Sequence, residues 1–196
     1  MTTQTIERRV FATELRIERR ATGENMLVGH AAVFNSASED LGGFREVVAP
    51  GAFAQSIQQD DVRALFNHDP NHVIGRNRAG TLRLTEDSRG LAFEIDLPDT
   101  QTARDLATSI ERGDISGNSF GFQTLEDRWE RMDAGELRTL IKVRLFDVSP
   151  VTYPAYPQTD VALRSLEAWK EAQKPAPIVE DPRDAELDIL APNLTT

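Results

Sequence analysis

The segment ISGNSFGFQTLED, residues 115–127, decides the fold class. It contains the spacing G-x-S-x-G around Ser119, which matches a nucleophile elbow. An elbow needs a strand before the serine, a helix after it and a histidine further along the chain. The residues after Ser119 alternate as a strand does, and all three histidines precede Ser119. The segment therefore predicts a β-strand and argues against the α/β-hydrolase fold.

The strand prediction gives Ser119 a defined surrounding. In an extended chain Phe120 and Phe122 face one side, while Gly117, Ser119 and Gly121 face the other. Glycines two residues away on each side leave bare backbone around the hydroxyl, so a substrate chain could approach it closely. A serine beside glycines in a bulge or polar turn explains the same letters. This segment by itself leaves both interpretations open.

Further strands are predicted on both sides of this segment. Short β-prone stretches recur between breaks rich in Gly, Pro and Asp. They cover residues 26–35, 44–49, 62–68, 80–87, 90–97, 119–127 and 137–151. A weaker alternation over residues 8–20 indicates an initial strand. The pattern favours a mainly β fold, either a small antiparallel barrel or a sandwich.

Helices are predicted beside these strands. Residues 102–113 form an amphipathic helix with Thr102 as its N-cap and Gly113 as its stop signal. Its apolar stripe consists of Ala103, Leu106, Ala107 and Ile110. A shorter helical stretch is predicted at residues 51–59 and a longer one at residues 161–174. We therefore expect helices that flank the strands rather than alternate with them.

The composition limits the classes of function. The chain has 196 residues and a formal net charge of −10. Because phosphate repels such a surface, neither nucleic acid nor a membrane is expected as a partner. The lack of cysteine excludes disulfides, a thiol nucleophile and thiolate metal ligands. No apolar run approaches the roughly 18 residues of a membrane span, and the polar start lacks a signal-peptide core.

The chain is expected to hold one main domain with two extensions. Residues 1–20 form an N-terminal extension with an initial strand, and residues 21–165 form the main domain. Residues 166–196 combine a C-terminal helix with a flexible, acidic, proline-containing tail. This tail cannot bury enough apolar surface to offset the entropy of ordering it.

His68 lies at the end of an apolar register. Alternation places Val62, Ala64, Phe66 and His68 on one face of the predicted strand. A general base must be oriented and shielded from bulk water, which this position provides, but a structural core histidine has the same pattern. His68 and His72 also have the spacing of helical zinc ligands. Pro70 between them breaks such a helix, so neither a metal nor a cofactor is expected.

Asp147 also lies in an apolar register. Ile141, Val143 and Leu145 precede it at alternate positions of the predicted strand. A buried carboxylate needs a partner, and an imidazolium is one such partner. A salt bridge to arginine, or a position at the strand end, explains Asp147 equally well.

Taken together, these segments resemble the prohead, or capsid maturation, serine proteases of tailed bacteriophages, which are relatives of the herpesvirus assemblins. The resemblance spans about residues 28 to 165 and rests on five segments. They are GHAAVFNSASEDLGGFREVVAPGAFAQSI, LFNHDPNHVIGR, GLAFEIDLPDT, IERGDISGNSFGF and LFDVSPVTYPAYPQTDVALRS. One departure is Asn118, where the family usually has an apolar residue.

The resemblance implies a fold, an activity and a place of action. The fold is a small closed antiparallel β-barrel of the herpesvirus-protease type with flanking helices, and residues 21–165 are the prohead protease domain. His68 and Ser119 correspond to the base and the nucleophile of a serine endopeptidase. Its substrates are the scaffold segment of the major capsid protein and the protease itself, inside the immature capsid in the bacterial cytoplasm. A homodimer is compatible with the family.

The third member of the site is assigned to Asp147. The order His, Ser, third member agrees with the assemblin-like relatives, although those use a histidine in the last place. The rivals are Asp69, His72 and Asp114, which turn geometry or capping also explains. For the oxyanion, Arg76 and Arg144 are the candidates that the sequence offers.

The alternative function is a non-catalytic assembly factor. Such a protein would retain the fold and bind capsid protein as a scaffold. A protease requires the base, the nucleophile and a third polar group within hydrogen-bond reach, whereas a scaffold tolerates any arrangement.

Overall fold

The protein is mainly β-stranded. A computed structural model describes residues 6–21, 23–133, 135–153 and 160–174, the side chains of 160–162 excepted. The strands of this part of the chain are β1 (Glu7–Ala12), β2 (Leu15–Arg19), β3 (Asn25–Val33), β4 (Phe44–Val48), β5 (Arg63–Phe66), β6 (Asp69–Arg76), β7 (Leu82–Glu86), β8 (Gly90–Asp96), β9 (Gly117–Met132) and β10 (Gly135–Val151). The helices are α1 (Ala54–Gln59), α2 (Gln101–Glu111) and α3 (Asp160–Ala172).

The strands form two sheets. Sheet A has the order β1-β9-β10-β5-β6, and β4 also pairs with β10. Sheet B has the order β2-β3-β8-β7. The predicted boundary between residues 20 and 21 therefore falls between two strands, β2 and β3, that pair with each other.

The predicted closed antiparallel barrel is not confirmed by the pairing of the described strands. Their pairing gives two sheets with separate edges rather than one ring. Sheet A is also mixed, because β4 and β5 both run parallel to β10. Alternation in a sequence shows which residues share a face, but it carries no information on strand direction or closure. The mainly β class with flanking helices is confirmed.

One hydrophobic core takes side chains from both sheets. Phe120 and Phe122 of β9 have no exposed surface, and they lie in the same cluster as Phe93 and Ile95 of β8. The Phe53 ring meets the Phe120 ring edge to face, with 5.4 Å between centroids. Burying each such phenylalanine contributes about 1.5–3 kcal/mol. The core therefore fixes which face of β9 points inward.

The helices agree with the predicted amphipathic pattern. In α2 the buried residues are Ala103, Leu106, Ala107 and Ile110, as predicted. The N-cap is Thr100 rather than Thr102, because the Thr100 side chain accepts the hydrogen bond from Ala103 N–H. Gly113 follows the helix with φ of +81°, a conformation that glycine adopts without strain.

Helix α3 covers the far end of the β9–β10 ribbon. Trp169 stacks on Trp129 with 5.9 Å between ring centroids, and Trp129 packs against Phe44 at 4.9 Å. The predicted tail, residues 175–196, lies outside the described residues. Within the described ranges, no helix is both long and apolar enough to cross a bilayer.

A buried ion network joins three strands of sheet A. Arg9 donates two hydrogen bonds to the Glu46 carboxylate, at 2.7 and 2.9 Å. Arg138 donates to Glu7 at 2.8 Å and to Glu46 at 3.1 Å. Burial alone would raise the pKa of Glu7, but the charge and hydrogen bonds of Arg138 outweigh it and lower that pKa. Removing one member would leave an uncompensated buried charge, which costs about 3–5 kcal/mol.

Candidate active site

Strand β9 presents Ser119 on the outward face of sheet A. In the pairing, Ser119 lies opposite Val10 of β1 and opposite Ser149 of β10. Its neighbours Phe120 and Phe122 point into the core, so Ser119 and Gly121 share the other face. The alternation predicted from the sequence is confirmed, and Ser119 lies inside a strand rather than in a polar turn.

A β-bulge turns Asp147 to the same outward face. Leu145 lies opposite Phe122 on the core side, whereas Asp147 lies opposite Gly121, with Phe146 as the extra residue between them. The prediction that Asp147 shares a face with Val143 and Leu145 is therefore wrong. A bulge adds one residue to one strand and so reverses the alternation beyond it. Asp147 is 7% exposed.

His68 comes from the turn between β5 and β6. β5 ends at Phe66, which pairs with Asp69, so Asn67 and His68 form a two-residue loop with φ of 55° and 57°. Positive φ at both central residues is typical of a type I′ hairpin turn. The prediction of His68 as the last residue of the strand is wrong. A left-handed backbone costs a residue that has a Cβ about 1–2 kcal/mol, so other contacts must hold this turn.

Asn67 provides those contacts. Its backbone N–H donates to Pro150 O at 3.0 Å. Its side-chain amide donates to Thr152 Oγ1 at 3.1 Å and accepts from Thr152 N–H at 2.8 Å. These bonds attach the tip of the β5–β6 hairpin to the end of β10. The turn is thus held over the face that carries Ser119 and Asp147.

The three predicted residues meet at this point. His68 Nε2 lies 2.6 Å from Ser119 Oγ, and His68 Nδ1 lies 2.5 Å from Asp147 Oδ1. With its proton on Nδ1, the imidazole donates to the carboxylate and accepts from the serine hydroxyl. Ser149 Oγ also donates to Asp147 Oδ1, at 2.7 Å. The carboxylate therefore orients the ring through Nδ1, and Nε2 accepts the hydrogen bond of the serine hydroxyl. This is the geometry of general-base catalysis.

The rivals for the third position lie elsewhere. Asp69 Oδ1 accepts hydrogen bonds from the backbone N–H and the side-chain amide of Asn71, at 2.8 and 2.9 Å. The His72 ring stacks on Phe66, and Asp114 pairs with Arg112 at 3.1 Å. In the described ranges no three His, Asp or Glu side chains are grouped to hold a metal ion.

The arginines predicted for the oxyanion are engaged with other acids. Arg76 makes two hydrogen bonds to Asp61, at 2.7 and 2.6 Å. Arg144 lies 3.5 Å from Asp60. No described hydrogen bond joins either of them to the residues around Ser119.

A polar cluster behind the nucleophile was not predicted. Asn118 points to the core side, where its amide donates to Thr13 Oγ1 and to the His30 carbonyl, each at 3.1 Å. Thr13 Oγ1 donates to the same carbonyl, at 2.6 Å. Asn118 Oδ1 is buried and has no partner within the described residues. Asn118 therefore connects the strand that carries Ser119 to sheet B. In the sequence, the feature that could have indicated this role is a polar residue in register with Phe120 and Phe122.

Residues 12–172 match the model of the caudovirus prohead serine proteases. The chain belongs to the prohead serine protease family. Among curated proteins it is 28% identical over 160 residues to the prohead protease of Enterobacteria phage HK97, which covers 74% of this chain and 67% of that protein.

Among solved structures, this prohead protease family member is similar in fold to the capsid assembly protease of bacteriophage T4. The TM-score is 0.53 at 10% identity, covering 76% of this chain and 98% of the other. Identity this low supports the fold alone. The fold and the family are therefore established independently of the geometry around Ser119.

Proposed function

We propose that the protein is a serine endopeptidase in which Ser119 is the nucleophile, His68 the general base and Asp147 the residue that orients His68. One observation carries the proposal: the unbroken hydrogen-bonded series from Asp147 through both nitrogens of His68 to Ser119 Oγ. A protein that only binds capsid subunits has no need for a carboxylate, an imidazole and a hydroxyl in this order.

The chemistry is acyl transfer. Ser119 Oγ attacks the carbonyl carbon of the scissile peptide while its proton passes to His68 Nε2. The tetrahedral intermediate then collapses, the C–N bond breaks, and His68 gives the proton to the leaving amine. Water, deprotonated by the same nitrogen, attacks the acyl ester; the ester C–O bond then breaks, and His68 returns the proton to Ser119 Oγ as the carboxylic acid leaves. Acylation and deacylation each return the imidazole to its starting state.

Asp147 stabilises the imidazolium that forms during attack. Its side chain is 10% exposed, so little solvent screens its interaction with the ring. Ser149 adds a second hydrogen bond to the same oxygen that His68 contacts. This bond restrains the carboxylate oxygen that accepts the hydrogen bond from His68.

The substrate we propose is the scaffold segment of the major capsid protein, followed by the protease itself. The family and the names of the two relatives, a prohead protease and a capsid assembly protease, support this substrate. The reaction would take place inside the immature capsid in the host cytoplasm. A homodimer is part of the same proposal, and it stays a prediction.

The test combines a covalent label with a processing assay. A fluorophosphonate should modify the wild-type protein at Ser119, located by peptide mass mapping, and should not modify Ser119→Ala. Coexpressed capsid protein should be shortened by the wild type and accumulate at full length with Ser119→Ala or His68→Ala. If Ser119→Ala still trims it, Ser116 becomes the nucleophile to test. If the wild type neither labels nor trims, the assembly-factor function replaces the protease.

A further inference from the structure

The outward face of sheet A carries a row of charged side chains beside Ser119. Arg8 of β1 lies opposite Gly121 of β9, and Gly121 lies opposite Asp147 of β10. On the other side of Asp147 the row continues with Arg63 of β5 and Arg76 of β6. The residues of the row share one face because residues paired across strands point the same way.

Arg8 differs from the other arginines of this row. Arg63 and Arg76 both contact Asp61, at 3.3 and 2.6 Å. The Arg8 guanidinium is exposed and makes no hydrogen bond or ion pair with the residues that the structure describes. Its backbone pairs with Gly121, and its carbonyl accepts from the side chain of Arg9. Arg8 is thus an available cation in a chain whose net charge is −10.

The distance from Arg8 to the nucleophile suits a substrate side chain. Arg8 and Ser119 are diagonal neighbours across the β1–β9 pair, and such neighbours lie about 7–8 Å apart, within reach of a long side chain. Between them Gly121 has no side chain, and the Asp147 carboxylate occupies the space above it. Ile6, which precedes β1, also approaches this position, with its Cγ2 3.6 Å from the point that a Cβ of Gly121 would occupy.

We propose that Arg8 binds an Asp or Glu side chain of the substrate within about three residues of the scissile bond. This inference rests on the proposed function. The planar guanidinium can hold a carboxylate by two parallel hydrogen bonds, which gives direction as well as attraction. A substrate laid over Ser119 would cover Arg8 and reduce the solvent screening of this pair. The acidic surface elsewhere repels the same side chain, so the contact fixes the register of the peptide.

The experiment compares cleavage of a peptide library by the full-length wild type and its variants. The wild type should enrich Asp and Glu at one position near the cut. Arg8→Ala should lose this enrichment, and kcat/KM for the best acidic peptide should fall about tenfold, the size of one charged hydrogen-bonded contact. Arg8→Glu should select Lys or Arg at that position, and Arg8→Lys should keep the acidic preference. Thermal unfolding checks that each variant folds.

Arg16→Ala is the matched control, because Arg16 is an exposed arginine of β2 that pairs with Glu18 outside sheet A. It should leave the preference unchanged. If the wild type labels at Ser119 and cleaves without any acidic enrichment, or if Arg8→Glu retains that enrichment, the role of Arg8 is wrong while the protease stands. If the wild type neither labels nor cleaves, both proposals fail together.

Discussion

The Asp147 carboxylate occupies the space that a side chain at Gly121 would fill. The two residues lie opposite each other on β10 and β9, and a Cβ built on Gly121 would overlap Asp147 Oδ2 and lie 3.2 Å from Asp147 Cγ. Glycine is required here because a buried carboxylate must lie flat over the neighbouring strand to reach His68. Gly121, which has no side chain to react, thus allows Asp147 to reach the position of its proposed catalytic role.

Gly121→Ala should therefore reduce turnover without removing any proposed catalytic group. The added methyl displaces the carboxylate by a fraction of an ångström to an ångström, and such a shift can cost about 10²-fold in rate. Steady-state kinetics with a peptide substrate measures the effect. In an Asp147→Ala background the same substitution should cost almost nothing further, because the clash is gone. Additive losses in the double variant would contradict this coupling.

Asp147→Asn should keep the fold and lower turnover by about 10⁴, as the same change does in the Ser-His-Asp template. The amide cannot stabilise an imidazolium and favours the other tautomer of His68. Measuring kcat and KM separately tests this, because KM should change little. Turnover within about threefold of the wild type would reduce the site to a Ser119–His68 dyad.

Ser149→Ala should lower kcat about tenfold. It deletes one hydrogen bond to an ionised, buried carboxylate, worth about 1.5–3 kcal/mol, and leaves Asp147 less firmly oriented. Ser116→Ala is the matched control, since Ser116 is exposed and precedes the same strand. Equal losses in the two variants would mean that the effect does not come through Asp147.

Two substitutions of Asn67 should distinguish the effect of its left-handed backbone from the effect of its side-chain hydrogen bonds. Asn67→Gly keeps the left-handed conformation but loses both side-chain bonds to Thr152, so we expect lower turnover with a modest loss of stability. Asn67→Ala adds backbone strain and should be about 1 kcal/mol less stable than Asn67→Gly. Urea unfolding and kinetics on the two variants check this order, and a more stable alanine variant would contradict the strained turn.

The acid stability of the protein should depend on Glu7. Because the folded-state pKa of Glu7 is lowered from 4.5, its contribution is complete above pH 4.5 and is lost as the pH falls through the lower value. Glu7→Gln should be less stable at pH 7 and should show a shallower decline of unfolding free energy below pH 4.5. Urea unfolding from pH 3 to 7 measures both.

Asp61→Asn is the control for the burial of Glu7, because it removes a carboxylate from an exposed ion pair instead of a buried one. Hydrogen bonds from Arg76 lower the pKa of Asp61 to about 2, but this pair is solvent-exposed. High salt should therefore abolish the effect of Asp61→Asn and leave the effect of Glu7→Gln largely intact. A Glu7→Gln effect that disappears in salt would mean that the network is not buried in solution.

The sequence was sufficient for the features that follow from alternation and helical periodicity. Phe120 and Phe122 alternate with Ser119 without interruption, and the buried stripe of α2 recurs at regular spacing. Residue chemistry made His68, Ser119 and Asp147 candidates, and the resemblance to the prohead proteases gave His68 and Ser119 their roles; the fold brings all three within hydrogen-bond distance.

The routes by which two of these residues reach the site could not be predicted. Asp147 was selected because it shares a register with Leu145, yet an extra residue at Phe146 turns it to the opposite face. His68 was placed at a strand end, yet it occupies a turn with positive φ that no residue type encodes uniquely. Bulges, left-handed turns and strand direction depend on tertiary pairing, so local patterns in one sequence do not specify them.

The tip of the β5–β6 hairpin is held by the hydrogen bonds of Asn67 and His68, whereas Ala64 and Ile74 of its strands are buried in the core. Opening the tip alone breaks few contacts and costs less free energy than unfolding the whole domain. Molecules with an open tip would retain their core and still lack the imidazole at Ser119. Heating should therefore abolish activity several degrees before the protein melts, with amide exchange at residues 67–69 rising first.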